Sequence, residues 1–172
     1  REHDSLPEKW IKFSFDSISG PGREWAVRDS GVYYSGSVVL KTRAHNSLRA
    51  LTCPWTSGYP IADEWVITDS FTVMNGDSLI FWMLIGPDIY YPDGFLDSMQ
   101  VWLLSEQNPN SRYIKLATLV SNDSAGIPLN NNTWKIHYFS LTEYIVRNIY
   151  IAFRYYIDIS FQGFWCNIDD VF

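Results

Sequence analysis

Residues 148–156 (NIYIAFRYY) and residues 163–172 (GFWCNIDDVF) decide the fold class of this chain. In the first stretch Ile149, Ile151 and Phe153 fall on one face of an extended chain. The apolar face of the second stretch consists of Phe164, Cys166 and Ile168. Apolar residues at every second position indicate β-strands with one buried face, so both stretches are predicted to be strands.

The rest of the chain shows the same period of two. The clearest further strands are predicted at residues 78–84, 98–105, 113–120 and 134–139. About nine or ten strands at intervals of roughly 8 to 12 residues, with no long amphipathic helix, predict an all-β, antiparallel β-sandwich. The pattern leaves a jelly roll and an immunoglobulin-like topology open, although the Cys, Trp, Cys spacing of an immunoglobulin domain is missing.

Length and composition restrict the possible classes of protein. A chain of 172 residues has the size of one domain with its own core. Aromatic residues make up 17% of it, which favours strands, since flat rings pack well on a pleated sheet. The net charge is −6 and no cluster of Lys or Arg occurs, so nucleic acid and anionic membranes are poor candidates for partners.

Two further features concern processing and covalent structure. The chain begins at Arg1 without Met, so we expect residues 1–172 to be a single domain cut out of a longer multidomain chain. Its longest apolar run, Leu79–Ile85, has the length of a strand and not of a membrane span. Only Cys53 and Cys166 are present, and the sequence leaves open whether they are bridged or are two buried thiols.

Asp169 and Asp170 are adjacent acids at the predicted end of the last strand. Two carboxylates that lie close together are costly unless a positive group lies between them. Calcium, which takes six to eight oxygen ligands, is the cation that this arrangement favours, and two solvated acids are the alternative. Neighbours on a strand point to opposite faces, so we expect one of the two to bind metal while the other faces solvent or a loop donor.

Several segments together resemble a known family. They are LPEKW (6–10), DEWVIT (63–68), GDSLIFW (76–82), IYIAFR (149–154) and IDDV (168–171), with Trp25, Asp97 and Trp134 between them. Their order and spacing are similar to the cleaved-adhesin, or choice-of-anchor J, modules, which accompany the gingipain proteases and occur in secreted proteins of the Bacteroidota. The resemblance implies a jelly roll related to carbohydrate-binding modules and MAM-type domains, without catalytic machinery and with structural calcium.

The resemblance also implies metal ligands. Glu2 resembles the Glu of a Phe-Glu pair near the start of many family members, so it is expected to join Asp169 and Asp170 around one calcium ion. Asp16 is the corresponding candidate for a second ion. At that place relatives carry an Asp-Gly-Asp-Gly stretch, whereas this chain has the looser Gly20-Pro21-Gly22.

Aromatic residues in two predicted loops are candidates for ligand recognition. They are Trp55 and Tyr59 in one loop and Tyr90, Tyr91 and Phe95 in the other. A ring offers its face to the C–H surface of a sugar or to a protein partner, but rings in loops also fold back over the end of a sandwich. Asp63 and Glu64 are either an acid pair beside a sugar-stacking ring, Trp65, or acids that end a loop before a core strand that begins at Trp65. We favour the second interpretation.

No signature of an enzyme is found in the sequence. His3, His45 and His137 are isolated, and no phosphate loop, nucleophile elbow or metalloprotease helix occurs. His137 is predicted to be a half-exposed sheet residue. We therefore expect an extracellular or cell-surface, non-catalytic, adhesin-like module that binds a glycan or a host protein. A structural spacer beside neighbouring domains and, less favoured, a carbohydrate-active enzyme are the alternatives.

Overall fold

The computed structural model describes most of the chain. The described residues are 6–16, 24–28, 31–35, 38–42, 44–54, 61–85, 97–121, 133–145, 147–157 and 165–172. They form thirteen strands and two short 3₁₀ helices, Pro109–Ser111 and Thr142–Tyr144. The predicted fold class is confirmed, because nearly all of the regular structure is antiparallel β-sheet in two main sheets.

Sheet A has six strands. Its order is β1 (Ile11–Ser14), β6 (Ala62–Ile67), β12 (Asn148–Ile157), β9 (Ser98–Leu104) and β10 (Arg112–Val120), and β7 (Phe71–Thr72) pairs with the start of β12. All of these pairs are antiparallel. The long strand β12, which the sequence singles out, is therefore the centre of this sheet.

Sheet B has five strands, and a separate hairpin accompanies it. The order of sheet B is β11 (Lys135–Ser140), β8 (Ser78–Ile85), β13 (Trp165–Asp169), β5 (Ala50–Pro54) and β2 (Ala26–Arg28). The hairpin consists of β3 (Gly31–Ser35) and β4 (Val38–Thr42). The last strand of the chain, β13, thus lies in the middle of sheet B.

The main core lies between the two sheets. Strand β12 buries Ile149, Ile151 and Phe153 there, as its alternation predicts. Phe153 meets Phe81 of sheet B edge-on, with ring centroids 5.0 Å apart. A second, smaller cluster lies on the outer face of sheet A and contains Trp65, Ile67, Leu104 and Ala152. Sheet A consequently buries apolar side chains on both of its faces.

One end of the sandwich gathers the ends of several strands. The pairs Trp165↔Pro54 and Cys166↔Ile85 place the start of β13 beside the ends of β5 and β8. In sheet A, Ala62↔Ile157 places the start of β6 beside the end of β12. Because Cys166 Sγ lies 3.5 Å from Sδ of Met99 on β9, these ends of the two sheets meet. We call this end of the sandwich the loop end.

The chain terminus pairs with β8 through a bulge. Asp169 lies opposite Trp82, whereas Phe172 and Ile80 exchange both backbone hydrogen bonds, at 2.8 and 3.0 Å. The terminal segment therefore contains one residue more than its partner, and Asp170 has the left-handed φ of 49°. A residue in this conformation is what a β-bulge of the G1 type requires, and Asp tolerates it better than most residues.

Candidate functional site

A group of polar and aromatic side chains lies on the outer face of sheet A. The guanidinium of Arg154 donates from Nε to Asp63 Oδ1 and from Nη2 to Asp63 Oδ2, both at 2.6 Å. Its Nη1 donates to Gln100 Oε1 at 3.1 Å. A planar guanidinium that forks onto a carboxylate in this way is held in one orientation.

Aromatic rings surround this guanidinium. Its central carbon lies 3.9 Å from the ring centroid of Tyr156 and 5.0 Å from that of Trp65. The indole N–H of Trp65 donates to Asp63 at 2.8 Å, and that of Trp102 donates to Gln100 at 2.9 Å. Each of the two indole rings is therefore oriented by a polar group that itself contacts Arg154. We call Asp63, Gln100, Trp102, Arg154 and Tyr156 the sheet-face site.

Strand alternation and register build this site. On β6, β9 and β12 a polar residue comes two positions before an aromatic one, as in Asp63 and Trp65. The corresponding pairs on the other strands are Gln100 with Trp102 and Arg154 with Tyr156. Residues two apart share a face of a strand, and the register places Arg154 opposite both Trp65 and Gln100. This repeated spacing of polar and aromatic residues is the signal in the sequence from which the site could have been predicted.

The members of this group differ in accessibility. Trp65 is only 1% exposed, so it packs under the guanidinium of Arg154 and offers no surface to a ligand. Trp102 and Tyr156 are partly exposed, and Lys115 places its exposed ammonium 5.7 Å from the ring centroid of Trp102. A ligand would therefore contact the partly exposed rings and the remaining hydrogen-bonding positions of the polar cluster.

The predicted ring loops lie outside the described residues. This applies to all five candidates, Trp55, Tyr59, Tyr90, Tyr91 and Phe95. The strands that precede these loops, β5 and β8, end at the loop end. Asp63 is the second residue of β6 and Tyr156 the penultimate residue of β12, and both therefore lie at the same end.

The acids at the chain terminus contact a single loop. Asp169 Oδ2 accepts a hydrogen bond from the backbone N–H of His45 at 2.8 Å. Asp170 Oδ2 lies 2.9 Å from Nδ1 of His45 and accepts from the amide of Asn46 at 2.7 Å. The imidazole of His45 in turn stacks on Trp82, with ring centroids 3.7 Å apart. We call Asp169, Asp170, His45 and Asn46 the terminal acid corner.

The expectation that these two acids face opposite ways is wrong. Both carboxylates reach His45, because the bulge at Asp170 interrupts the regular alternation of the strand. The strand pattern could not reveal this, since the extra residue becomes visible only when the segment is paired with β8.

Asp16 lies far from the terminal acid corner. Ser14 donates to Glu64 Oε1 at 2.8 Å and to Asp16 Oδ1 at 3.2 Å, near the start of β6 and hence at the loop end. Glu64 is 2% exposed, and burial, the largest cause, raises its pKa from 4.5 to about 8.

The interpretation of Asp63 and Glu64 as loop acids is wrong, since both lie within β6. Trp65 is a buried strand residue, as expected.

The described residues do not complete a calcium shell by themselves. Among them, no group of three or more His, Cys, Asp or Glu side chains is placed to hold a metal ion. Asp169 and Asp170 have the oxygen chemistry that calcium prefers, but three of their four oxygens accept hydrogen bonds from N–H groups. Glu2, the third expected ligand, lies outside the described residues. The donor set therefore suits calcium in kind, while the number of described ligands is too small.

His137 is half-buried in β11, as predicted. Its ring stacks on Phe81 with centroids 5.3 Å apart, and its Nε2 is buried without a hydrogen-bond partner among the described residues. Burial, followed by the charge of Lys135, lowers the pKa of His137 below its usual 6.5. Such a residue is neutral near pH 7 and lies against the core, not in a cleft.

Comparison with known proteins supports the architecture. No family model matches the chain, and no curated protein does. Among solved structures, the K3 and K1 cleaved adhesin domains of Lys-gingipain from Porphyromonas gingivalis W83 align at a TM-score of 0.64, with 21% and 17% identity. Each alignment covers 96% of this chain and 90% of the other.

A carbohydrate-binding module is similar as well. TmCBM61, solved in complex with β-1,4-galactotriose, aligns at a TM-score of 0.50 with 11% identity, over 96% of this chain and 87% of that module. At these identities the likeness establishes the fold. The chain therefore has the jelly-roll sandwich that adhesin and carbohydrate-binding modules share.

Proposed function

We propose that this chain is a non-catalytic, extracellular binding module that recognises a glycan on the outer face of sheet A and at the adjoining loop end. The observation that carries the proposal is the sheet-face site, in which partly exposed rings flank an arginine that Asp63 and Gln100 hold in place. The fold shared with adhesin domains and with a galactotriose-binding module supports this proposal.

The chemistry of the site suits a sugar. Pyranose rings present flat C–H surfaces that pack on aromatic faces, and their hydroxyl groups form hydrogen bonds with planar polar groups. Trp102 and Tyr156 supply the rings. Within the described part of the chain, Asp63 Oδ2 accepts one hydrogen bond and keeps a second accepting position, while the amide group of Gln100 and the guanidinium of Arg154 keep further N–H donors. Because this polar cluster is already held by its own hydrogen bonds, little conformational entropy is lost when a ligand binds.

Calcium is proposed as a structural ion at the terminal acid corner. Asp169 and Asp170 would hold it together with Glu2, and the ion would fasten the end of the chain beside its beginning. Asp16, beside Glu64, is the proposed place of a second ion. In this role calcium supplies positive charge between crowded carboxylates and takes no part in ligand chemistry.

A glycan array tests the proposed site. The wild-type chain is expected to bind a subset of glycans, and Trp102→Ala and Tyr156→Ala are each expected to weaken that binding at least tenfold. Tyr138→Ala is the matched control, because Tyr138 is 63% exposed on β11 of sheet B, far from the site. Equal binding by all four proteins would exclude the sheet face. Trp55→Ala and Tyr91→Ala test the ring loops in the same assay.

A structural spacer is the second candidate, and one observation favours it. The donors of Arg154 already reach Asp63 and Gln100, so the sheet-face group is stable without a ligand. A blank glycan array, together with a blank array of host surface proteins, would support the spacer. Binding confined to the host proteins would retain a binding module and change its partner class. Turnover of a polysaccharide would instead indicate a carbohydrate-active enzyme.

The remaining expectations concern location and surroundings. Within the described part of the chain, no helix is both long and apolar enough to cross a membrane. An extracellular or cell-surface location, neighbouring domains in a longer chain and the absence of nucleic-acid binding belong to the same proposal.

A further inference from the structure

Cys53 and Cys166 occupy directly opposite positions on adjacent strands. Cys53 lies on β5, Cys166 lies on β13, and the register pairs the two residues. Both side chains are 0% exposed, and both belong to the core cluster between the sheets. Their side chains therefore point to the same face of sheet B.

We propose that these two residues form a disulfide when the chain folds in an oxidising compartment, and that the bond fastens the last strand, β13, to β5. Opposite residues of an antiparallel pair have Cα atoms about 4.5 or 5.5 Å apart, depending on the kind of pair. Disulfides span Cα separations of about 4.4 to 6.8 Å. The Cα separation of a directly opposite pair such as Cys53 and Cys166 thus falls within the range that a disulfide spans.

The reduced state has a competing contact. Cys166 Sγ lies 3.5 Å from Sδ of Met99, across the core in sheet A. A change in the χ1 rotamer directs a cysteine sulfur toward another neighbour without moving the backbone, and Cys53 is the neighbour within the same sheet. Met99 would keep its packing in the core after the sulfur of Cys166 turns toward Cys53.

Burial determines when the bond can form. It raises the pKa of both thiols, so the folded, reduced chain holds them as unreactive thiols that an oxidant cannot reach. Oxidation must therefore precede the docking of β13 between β8 and β5. This strand is the last along the chain, so Cys166 is also the later of the two cysteines to be synthesised.

The reaction needs a disulfide oxidant, such as a dithiol oxidoreductase or glutathione disulfide. One cysteine thiolate attacks the oxidant's disulfide and forms a mixed disulfide, and one oxidant thiolate leaves. The second cysteine thiolate then displaces the other oxidant thiolate. The Cys53–Cys166 bond forms, the two thiols release their protons, and the oxidant is reduced to two thiols.

The bond would add a covalent link to a strand that hydrogen bonds already hold between β8 and β5. Strand β13 has five residues, and Asp169 at its end belongs to the terminal acid corner. A bond between Cys166 and Cys53 would prevent β13 from separating from β5 even when its hydrogen bonds open. Since it joins the interior of sheet B, the bond is independent of the proposed glycan site on sheet A.

Thiol trapping of the wild-type chain tests this inference. The full chain is produced once in an oxidising and once in a reducing compartment, unfolded in guanidinium with excess maleimide, and weighed intact. The oxidised sample is expected to bind no maleimide, and its mass should be about 2 Da below that of the reduced chain without maleimide. The reduced sample is expected to bind two maleimides. A protease digest should contain one peptide pair that joins the two cysteines. Two maleimides on every chain from the oxidising compartment would overturn the proposal.

Two further measurements test whether Cys53 and Cys166 form the bond and whether the bond stabilises the protein. Cys53→Ala is expected to bind one maleimide per chain under oxidising production, since Cys166 then has no partner. A reductant is expected to lower the melting temperature of the oxidised wild type and to leave the Cys53→Ala, Cys166→Ala double variant unchanged. If the reductant lowers both melting temperatures equally, the bond does not fasten β13.

Discussion

The guanidinium of Arg154 and the carboxylate of Asp63 form two parallel hydrogen bonds of 2.6 Å between β12 and β6, although the two residues are 91 positions apart in the chain. Their side chains are only 13% and 15% exposed, so the pair is largely removed from solvent. A forked pair in such surroundings orients both partners, and here it also orients the rings of Trp65 and Tyr156.

Arg154→Lys is expected to destabilise the protein by about 1 to 3 kcal/mol, because lysine cannot form the fork and leaves Asp63 partly unsatisfied. Urea unfolding measures the change. Asp63→Asn is expected to cost a similar amount, and the double variant should cost clearly less than the sum of the single changes. Lys9→Gln is the control, since its pair with Asp69 is 3.3 Å long and exposed, and exposed ion pairs contribute little to stability. Strictly additive losses would contradict the coupling.

Calcium is expected to raise the melting temperature of the wild type by roughly 5 to 10 °C at a hundredfold excess over its dissociation constant. A chelator should reverse the rise. Asp170→Asn removes one proposed ligand and should abolish the response. His45→Ala leaves both carboxylates in place and should retain it. If neither calcium nor the chelator changes the melting temperature of the wild type, the terminal acid corner does not bind a stabilising calcium ion.

His137 is expected to make the protein less stable in mild acid. Its pKa in the folded protein is lower than in the unfolded chain, so the unfolded chain binds the proton more readily. The stability that its neutral form provides is therefore complete above about pH 6.5 and is lost as the pH falls below that value. In His137→Phe, which keeps the ring against Phe81, the melting temperature should fall less between pH 7 and pH 5. An identical fall in both proteins would contradict this assignment.

Gly76→Ala is expected to lower the free energy of unfolding by about 1 kcal/mol or slightly more, because Gly76 has a φ of 91°. Gly76 lies in the turn in which the backbone N–H of Asp77 donates a hydrogen bond to the carbonyl oxygen of Met74. No atom lies within 4 Å of the added methyl group, so the cost is one of backbone conformation alone. Chemical denaturation measures it. Lys9 has a φ of 65°, and Lys9→Gly should leave the stability unchanged or raise it by up to about 1 kcal/mol. A loss of the same size for both substitutions would contradict the backbone explanation.

Local features of the sequence were sufficient for the elements of the fold. The alternation of Ile149, Ile151 and Phe153 predicted the central strand of sheet A, and all three residues are buried. The dipeptide Asn75-Gly76 is likewise typical of a turn, and the turn before β8 lies there, with a φ of 91° at Gly76 that glycine adopts without strain. These predictions succeeded because strand period and turn conformation depend on residues that are close together in the chain.

The sites depend on residues that are far apart in the chain. The sheet-face site requires the register of β6, β9 and β12, and the sequence showed only its repeated spacing of polar and aromatic residues. The convergence of Asp169 and Asp170 requires the bulge against β8, and the opposition of Cys53 and Cys166 requires β13 to insert beside β5. The sequence by itself therefore determined an antiparallel sandwich rich in aromatic residues. Only the tertiary structure decided which side chains meet, because one residue of register moves every side chain of a strand to its other face.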